Sequence, residues 1–212
     1  MTAAGYEIVV VGTSWGGLAA LRALAGALPA TLGLPIAVVQ HRHKDSDRLL
    51  AMVLQEHTAL AVCEVEDKQP LLPGFLFIAP PDYHLLVEQG HFSLSTDAPV
   101  RYSRPSIDVA FTSAADSYGP RAVGVVLTGA NADGADGLRR IAERGGLAIV
   151  QSPSTAESPT MPRAALEAVP EARVMPIPAI ADMLATLPVA PVADSGSRSN
   201  ADRLDALREQ RP

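Results

Sequence analysis

The chain has 212 residues and a formal net charge of −6. Hydrophobic residues make up 48% and charged residues 19%, a globular composition that excludes an intrinsically disordered chain, and the net acidity disfavours nucleic acid as the main partner because phosphate binding needs a basic face. The single cysteine, Cys63, excludes an internal disulfide and a zinc site built on several thiolates, and no basic n-region or apolar run of roughly 18 residues marks a signal peptide or membrane span, so a cytoplasmic protein without membrane insertion is expected.

Residues 7–12 (EIVVVG) form a short β-branched apolar run, as expected of a buried parallel strand. Gly16-Gly17 opens an Ala/Leu-rich helix over 18–28, and 35–40 (PIAVVQ) reads as a second buried strand. Apolar residues at helical spacing predict a helix over 48–57, followed by a strand at 61–65. Residues 71–95 alternate strand-like runs with turn signals at Pro73-Gly74, Pro80-Pro81-Asp82 and Gln89-Gly90. That pattern predicts antiparallel hairpins inserted in, or attached to the edge of, a parallel sheet. A helix then follows over 106–118 with Ser106 as N-cap, a strand at 122–127, and a helix over 134–144 closed by Gly145-Gly146. A strand at 147–150, a helix at 161–169, a strand at 173–177 and a helix at 178–187 complete the alternation. The expected fold is α/β: a doubly wound, mostly parallel, Rossmann-like sheet with an antiparallel hairpin region. The domain is expected to span 1–187, with 188–212 a Pro/Ser-rich flexible tail.

In such a sheet function gathers at the carboxyl ends of the strands. The first strand ends in Gly12-Thr13-Ser14-Trp15-Gly16-Gly17. A dinucleotide fingerprint needs Gly at position 14 and an acid at the end of the second strand, which instead ends in Gln40-His41. A phosphate loop needs Lys and Ser/Thr after the last Gly, where Leu18 and Ala19 stand. Gly12 to Gly16 does fit G-x-S-x-G, a nucleophile on a strand-to-helix turn, although Ser14 could equally be a plain helix N-cap. His41 follows the second strand and Asp133 follows the strand at 122–127, so a base and its orienting acid reach the same rim as Ser14. His43 is a rival base. Asp136 is a rival acid, though its plainer role is favourable charge in a first helical turn. The chain order Ser, His, Asp argues against ordinary α/β-hydrolases, which run Ser, acid, His.

These residues sit in a wider pattern. From about Tyr6 to Leu187 the chain resembles the catalytic domain of the CheB-type chemotaxis protein-glutamate methylesterases. The matching stretches are Val11-Gly12-Thr13-Ser14-Trp15-Gly16-Gly17, Val39-Gln40-His41, Leu72-Pro73-Gly74 with Ile78-Ala79-Pro80, Arg104-Pro105-Ser106-Ile107-Asp108, Val125-Val126-Leu127-Thr128-Gly129, Asp133-Gly134-Ala135-Asp136-Gly137-Leu138, and Met161-Pro162. The resemblance implies a serine hydrolase that removes methyl esters from glutamate side chains of chemoreceptors and can deamidate glutamines. Its nucleophile falls on Ser14, its base on His41 and its acid on Asp133. It needs no cofactor and no metal, and its partners are the methylated cytoplasmic helices of receptors. The chain departs from the family at Trp15, where Ser or Thr is frequent, at Ala130-Asn131 in place of Met-Gly, and at Arg42-His43-Lys44 in place of Met-Pro-Pro. Typical members carry a receiver domain ahead of the catalytic domain, and this chain begins at the first catalytic strand. Phosphorylation control is therefore expected to lie outside this polypeptide.

Two other functions fit the same residues: a serine esterase or amidase acting on a non-receptor substrate, and a non-catalytic module that binds signalling partners. Arg101 and Arg104 either steer an acidic receptor helix or are simply solvated. Cys63 reads as a small buried strand residue, and Met161-Pro162 as a helix start. Oligomeric state has no signature in the sequence.

Overall fold

The computed structural model describes residues 5–43 and 49–190. Its elements in chain order are β1 (Ile8–Thr13), α1 (Gly17–Ala27), β2 (Ile36–Gln40), α2 (Leu49–Gln55), β3 (Ala61–Glu64), β4 (Phe75–Ile78), β5 (His84–Glu88) and β6 (His91–Ser95), then α3 (Ile107–Tyr118), β7 (Ala122–Val126), α4 (Ala135–Glu143), β8 (Leu147–Gln151), α5 (Thr160–Ala168), β9 (Arg173–Met175) and α6 (Ile177–Thr186). The expected elements are present with ends displaced by a residue or a few, as fraying helix ends allow.

Seven strands form one sheet in the order β3-β4-β2-β1-β7-β8-β9, and every pair in it is parallel. Parallel strands covered on both faces must be apolar on both, and β1 shows the result. Ile8 and Val10 join the core on one face, Val9 and Val11 the core on the other. Side chains of α3, α4 and α5 fill the first face, and those of α1, α2 and α6 the second. The sheet is therefore doubly wound, and the chain changes direction at β1: β2 lies on one side of it and β7 on the other. The carboxyl end of β1 is the topological switch point, where α/β sheets open a crevice.

The expectation for residues 71–95 needs two corrections. Phe75–Ile78 is no hairpin strand. It lies inside the parallel sheet between β2 and β3, with Ile36 opposite Leu76 and Val62 opposite Leu76 on the other side. All four residues are buried, and an uninterrupted apolar run of this kind is the mark of an interior parallel strand. The antiparallel hairpin is β5–β6 alone, a separate two-stranded sheet rather than an insert in or an edge of the parallel one, closed at Gln89-Gly90 where Gly90 has φ 78°. It packs on α3 through Ser113 and Tyr118, whose hydroxyl accepts from Gly90 N–H at 2.8 Å. At the far end, residues 188–190 pair with Tyr6: Tyr6 N–H donates to Pro188 O at 2.7 Å and Ala190 N–H to Tyr6 O at 2.9 Å. The rest of the expected tail lies outside the described residues, as does residue 48 at the start of the expected second helix.

Candidate active site

Parallel register places the three expected residues on one rim. Thr13 is opposite Gln40, and His41 N–H donates to Thr13 O at 3.1 Å, so Ser14 and His41 leave neighbouring strands side by side. Across β1, Ser14 N–H donates to Thr128 O at 3.0 Å, which ties it to the loop that leads from β7 to Asp133. The turn that carries Ser14 is closed by Gly17 N–H donating to Ser14 O at 2.9 Å, with Gly16 at φ 76° and ψ 1°. Those angles are the third position of a type II turn, which a residue with a Cβ enters only under strain. Gly17 starts α1, and a side chain there would collide with Gln40. The N-cap of α1 is Gly16, without a side-chain bond, so Ser14 does not cap the helix. Among the described residues Ser14 Oγ makes no hydrogen bond.

His41 meets Asp133 directly: Nε2 lies 2.7 Å from Asp133 Oδ2, with the carboxylate side chain wholly buried and the imidazole 13% exposed. A carboxylate only accepts, so Nε2 carries the hydrogen and the neutral ring has its lone pair at Nδ1. Asp133 is held from behind by the N-terminus of α3. Ile107 N–H donates to Oδ2 at 2.7 Å, Asp108 N–H to Oδ1 at 3.0 Å and Ser106 Oγ to Oδ1 at 2.9 Å. Burial opposes the charge on Asp133, but the bonds from His41, Asp108 N–H and Ile107 N–H outweigh it and hold the carboxyl below its ordinary range.

The support is reciprocal. Asp108, in the first turn of α3, accepts from Gly134 N–H at 2.9 Å and Gly137 N–H at 2.8 Å and so caps the start of α4. Asp133 caps α3, which carries Asp108, and Asp108 caps α4, which Asp133 immediately precedes. Burial pushes the Asp108 carboxyl up to about 6, opposed by the Gly137 N–H bond and reinforced by the neighbouring Asp133 charge. That value exceeds the unfolded one of about 3.9. As pH rises through the window between them, the unfolded chain releases this proton first and stability is lost. Asp108→Asn keeps an acceptor oxygen for both glycine N–H groups and has no proton to lose. Its urea midpoint relative to the wild type is expected to climb between about pH 4 and about pH 7. A difference that does not vary with pH would contradict this account.

The rival residues are placed elsewhere. Asp136 is in the first turn of α4, half exposed, paired with Arg101 at 2.6 Å rather than with His41. His43 is exposed, and His41 is the histidine on Asp133. Arg101 and Arg104 are not simply solvated. Arg101 lies 3.6 Å from Asp108, and Arg104 binds Asp82 at 2.6 Å and the carbonyls of Thr96 and Asp97. Cys63 is half-buried, its thiol pushed up to about 11 chiefly by burial. Met161 does sit in the first turn of α5, and its N–H donates to Gly129 O at 2.9 Å, directly beneath the Ser14 loop.

Sequence reasoning missed three supporting residues. Gln40 Nε2 donates to Ser14 O at 2.9 Å and to His41 O at 3.1 Å, joining the two loops. Thr128 Oγ1 donates to Trp15 O at 2.9 Å. Asn131 accepts Asp133 N–H at 3.1 Å, which turns its amide NH₂ towards His41 Nδ1 at 3.4 Å. Only Gln40 carried a signal, a polar end on an otherwise apolar strand. Of the backbone donors near the rim, Gly129 N–H is occupied by Ser158 O at 3.1 Å, whereas Trp15 N–H and Ala130 N–H take no acceptor among the described residues. No group of three or more His, Cys, Asp or Glu among the described residues could hold a metal ion. No helix among them is long and apolar enough to cross a membrane.

The model of the CheB methylesterase family matches residues 9–184. A Leptospira interrogans protein is 43% identical over 86% of this chain and 95% of its own length; it carries the name protein-glutamate methylesterase/protein-glutamine glutaminase in provisional form. Protein-glutamate methylesterase/protein-glutamine glutaminase 1 of Carboxydothermus hydrogenoformans is 38% identical over 85% of this chain, and this chain spans 55% of its length. Among solved structures, the crystal structure of the Thermotoga maritima CheB methylesterase catalytic domain superposes with a TM-score of 0.81 at 33% identity, covering 85% of this chain and 97% of that one.

Proposed function

The chain belongs to the CheB methylesterase family, and on that premise we propose that it hydrolyses the methyl esters of glutamate side chains in chemoreceptors through Ser14, His41 and Asp133, releasing methanol. The observation that carries this reading is the 2.7 Å contact between His41 Nε2 and the buried Asp133 carboxylate, on the rim where Ser14 ends the adjacent strand.

Ser14 Oγ attacks the ester carbonyl as its proton passes to His41 Nδ1. Asp133, accepting from Nε2–H, keeps the ring in the tautomer that can take that proton and stabilises the imidazolium. The oxyanion meets Trp15 N–H and Ala130 N–H at the positive end of α1. Losing one such donor typically costs about 2.7–4 kcal/mol of transition-state stabilisation. As the intermediate collapses, the Nδ1 proton goes to the departing methoxide and methanol leaves. Water, deprotonated by Nδ1, then releases the acyl group as a receptor carboxylate. The same steps with a glutamine side chain expel ammonia, which is the glutaminase reaction. Neither reaction needs a metal or cofactor. The substrate glutamates lie on cytoplasmic receptor helices, and the protein acts in the cytoplasm.

Methanol release from methylated receptor membranes tests the reading. The wild type is expected to release it. Labelling of Ser14 by a serine-reactive phosphonate without any methanol release would replace the receptor by another ester.

A further inference from the structure

We propose that Trp15 decides which esters reach Ser14: its indole is the contact surface for the polypeptide segment that carries the susceptible glutamyl side chain. The proposal deepens the reading of Ser14 as nucleophile and rests on it.

Trp15 is the second residue of the Ser14–Gly17 turn, and its backbone is fixed by the bond from Thr128 Oγ1 to its carbonyl. Its side chain is 67% exposed and makes no hydrogen bond or ring contact among the described residues. Leu18, three residues on, is 43% exposed and extends the apolar surface. No charged residue occurs between Glu7 and Arg22 in the chain, and the charge that borders the turn is that of Glu157, whose side chain lies against Gly16. A tryptophan offers roughly 150–250 Å² of contact, and the fold leaves most of it unused. Nothing among the described residues requires an indole at this position.

The reaction says what comes to it. A carbonyl carbon under attack lies about 3–3.5 Å from Ser14 Oγ. On a helical substrate, residues three and four places from the ester-bearing glutamate stand on its face, roughly 5–6 Å away. That is within the span of an indole on the residue next to the nucleophile. The occupant is therefore an apolar side chain one helical turn from the methylated glutamate. A small soluble ester has no such side chain. Because this contact exists in both the bound substrate and the transition state, it acts on KM more than on kcat.

Trp15 is the sole tryptophan of the chain, so its emission reports this site alone. In Ser14→Ala, which holds substrate uncleaved, a methylated cytoplasmic receptor fragment is expected to shift the emission to the blue and to shield it from acrylamide. Trp15→Thr keeps the backbone N–H. Its ratio of kcat/KM for the receptor fragment to kcat/KM for p-nitrophenyl acetate is expected to fall at least tenfold, through KM, with Trp15→Phe recovering most of it. A ratio within twofold of the wild type, or emission unchanged at saturating fragment, overturns the proposal. A wild type that hydrolyses p-nitrophenyl acetate and releases no methanol from the fragment removes the receptor reading and the proposal with it. Phosphonate that fails to label Ser14 in the wild type removes the nucleophile instead.

Discussion

Replacing Ser14 by Ala is expected to lower methanol release by roughly a million-fold, the size of loss seen when a triad serine is removed from a serine hydrolase, while the urea midpoint stays where it is. The first half follows from covalent chemistry: no other hydroxyl stands on this turn beside His41. Thr13 is buried and its Oγ1 donates to Thr128 O at 2.8 Å. The second half separates the nucleophile from the plain helix cap. Loss of a capping serine costs about 1 kcal/mol. Here α1 is capped by Gly16 and Ser14 Oγ holds no partner among the described residues, so no stabilising bond is lost. Urea titration of both proteins, with methanol assayed on the same samples, decides between the two. A variant that is destabilised by a kilocalorie but still releases methanol would return Ser14 to a capping role.

Asp133→Asn is expected to be slower by about ten-thousand-fold, the cost of holding a triad histidine in the wrong tautomer, and it is expected to be less stable as well. The carboxylate accepts four bonds: from His41 Nε2 and Ile107 N–H at Oδ2, and from Ser106 Oγ and Asp108 N–H at Oδ1. An amide must present NH₂ at one of these positions. At Oδ2 it faces Ile107 N–H and donates to Nε2, which moves the ring hydrogen to Nδ1 and leaves no lone pair for Ser14. At Oδ1 it faces Asp108 N–H. Either way one buried backbone donor loses its acceptor, at about 1–3 kcal/mol. Phosphonate labelling rates give the first effect and urea unfolding the second. The pH dependence has the opposite sign to that of Asp108. The Asp133 carboxyl is held below its unfolded value, so its stabilisation is complete above about pH 4 and disappears as pH falls further. Asp133→Asn removes that dependence. Normal labelling in a folded Asp133→Asn variant would show that another group orients His41.

The two helix starts explain why such a buried carboxylate is tolerable. Asp133 and Asp108 each accept backbone N–H groups that an α-helix leaves unsatisfied in its first turn. A charge the core would otherwise reject is thereby stabilised, and the His41 ring has a rigid partner. Asn131 and Gln40 add the lateral restraints: one faces Nδ1, the other joins the backbones of Ser14 and His41. Pre-organisation of this kind costs no rearrangement at the moment of reaction.

The strand runs and their ends were legible because burial on both faces of a parallel sheet leaves a local mark, a short continuous apolar run that stops where the crevice opens. That was enough to list Ser14, His41 and Asp133 as residues of one rim, and the structure does bring His41 and Asp133 into contact. It was not enough to place Phe75–Ile78, because turn signals on either side of a strand do not say which partner it joins. The sheet order follows from packing of whole layers, and β4 enters between two strands that precede it in the chain.

What the amino-acid sequence determined by itself, then, is the alternation of elements and the identity of the residues at the strand ends, carried by short-range periodicity and spacing, and the family resemblance, carried by the matching motif stretches. What only the tertiary structure decided is which of those residues touch. His41 rather than His43 meets the acid, and Asp133 rather than Asp136 receives it. Nε2 rather than Nδ1 donates to it, and Gly129 N–H is occupied by Ser158. Arg101 and Arg104 are bound to carboxylates on other segments. Each of these outcomes is a hydrogen bond or ion pair between segments far apart in the chain, and its partner is set by strand register and layer packing, which local sequence does not encode.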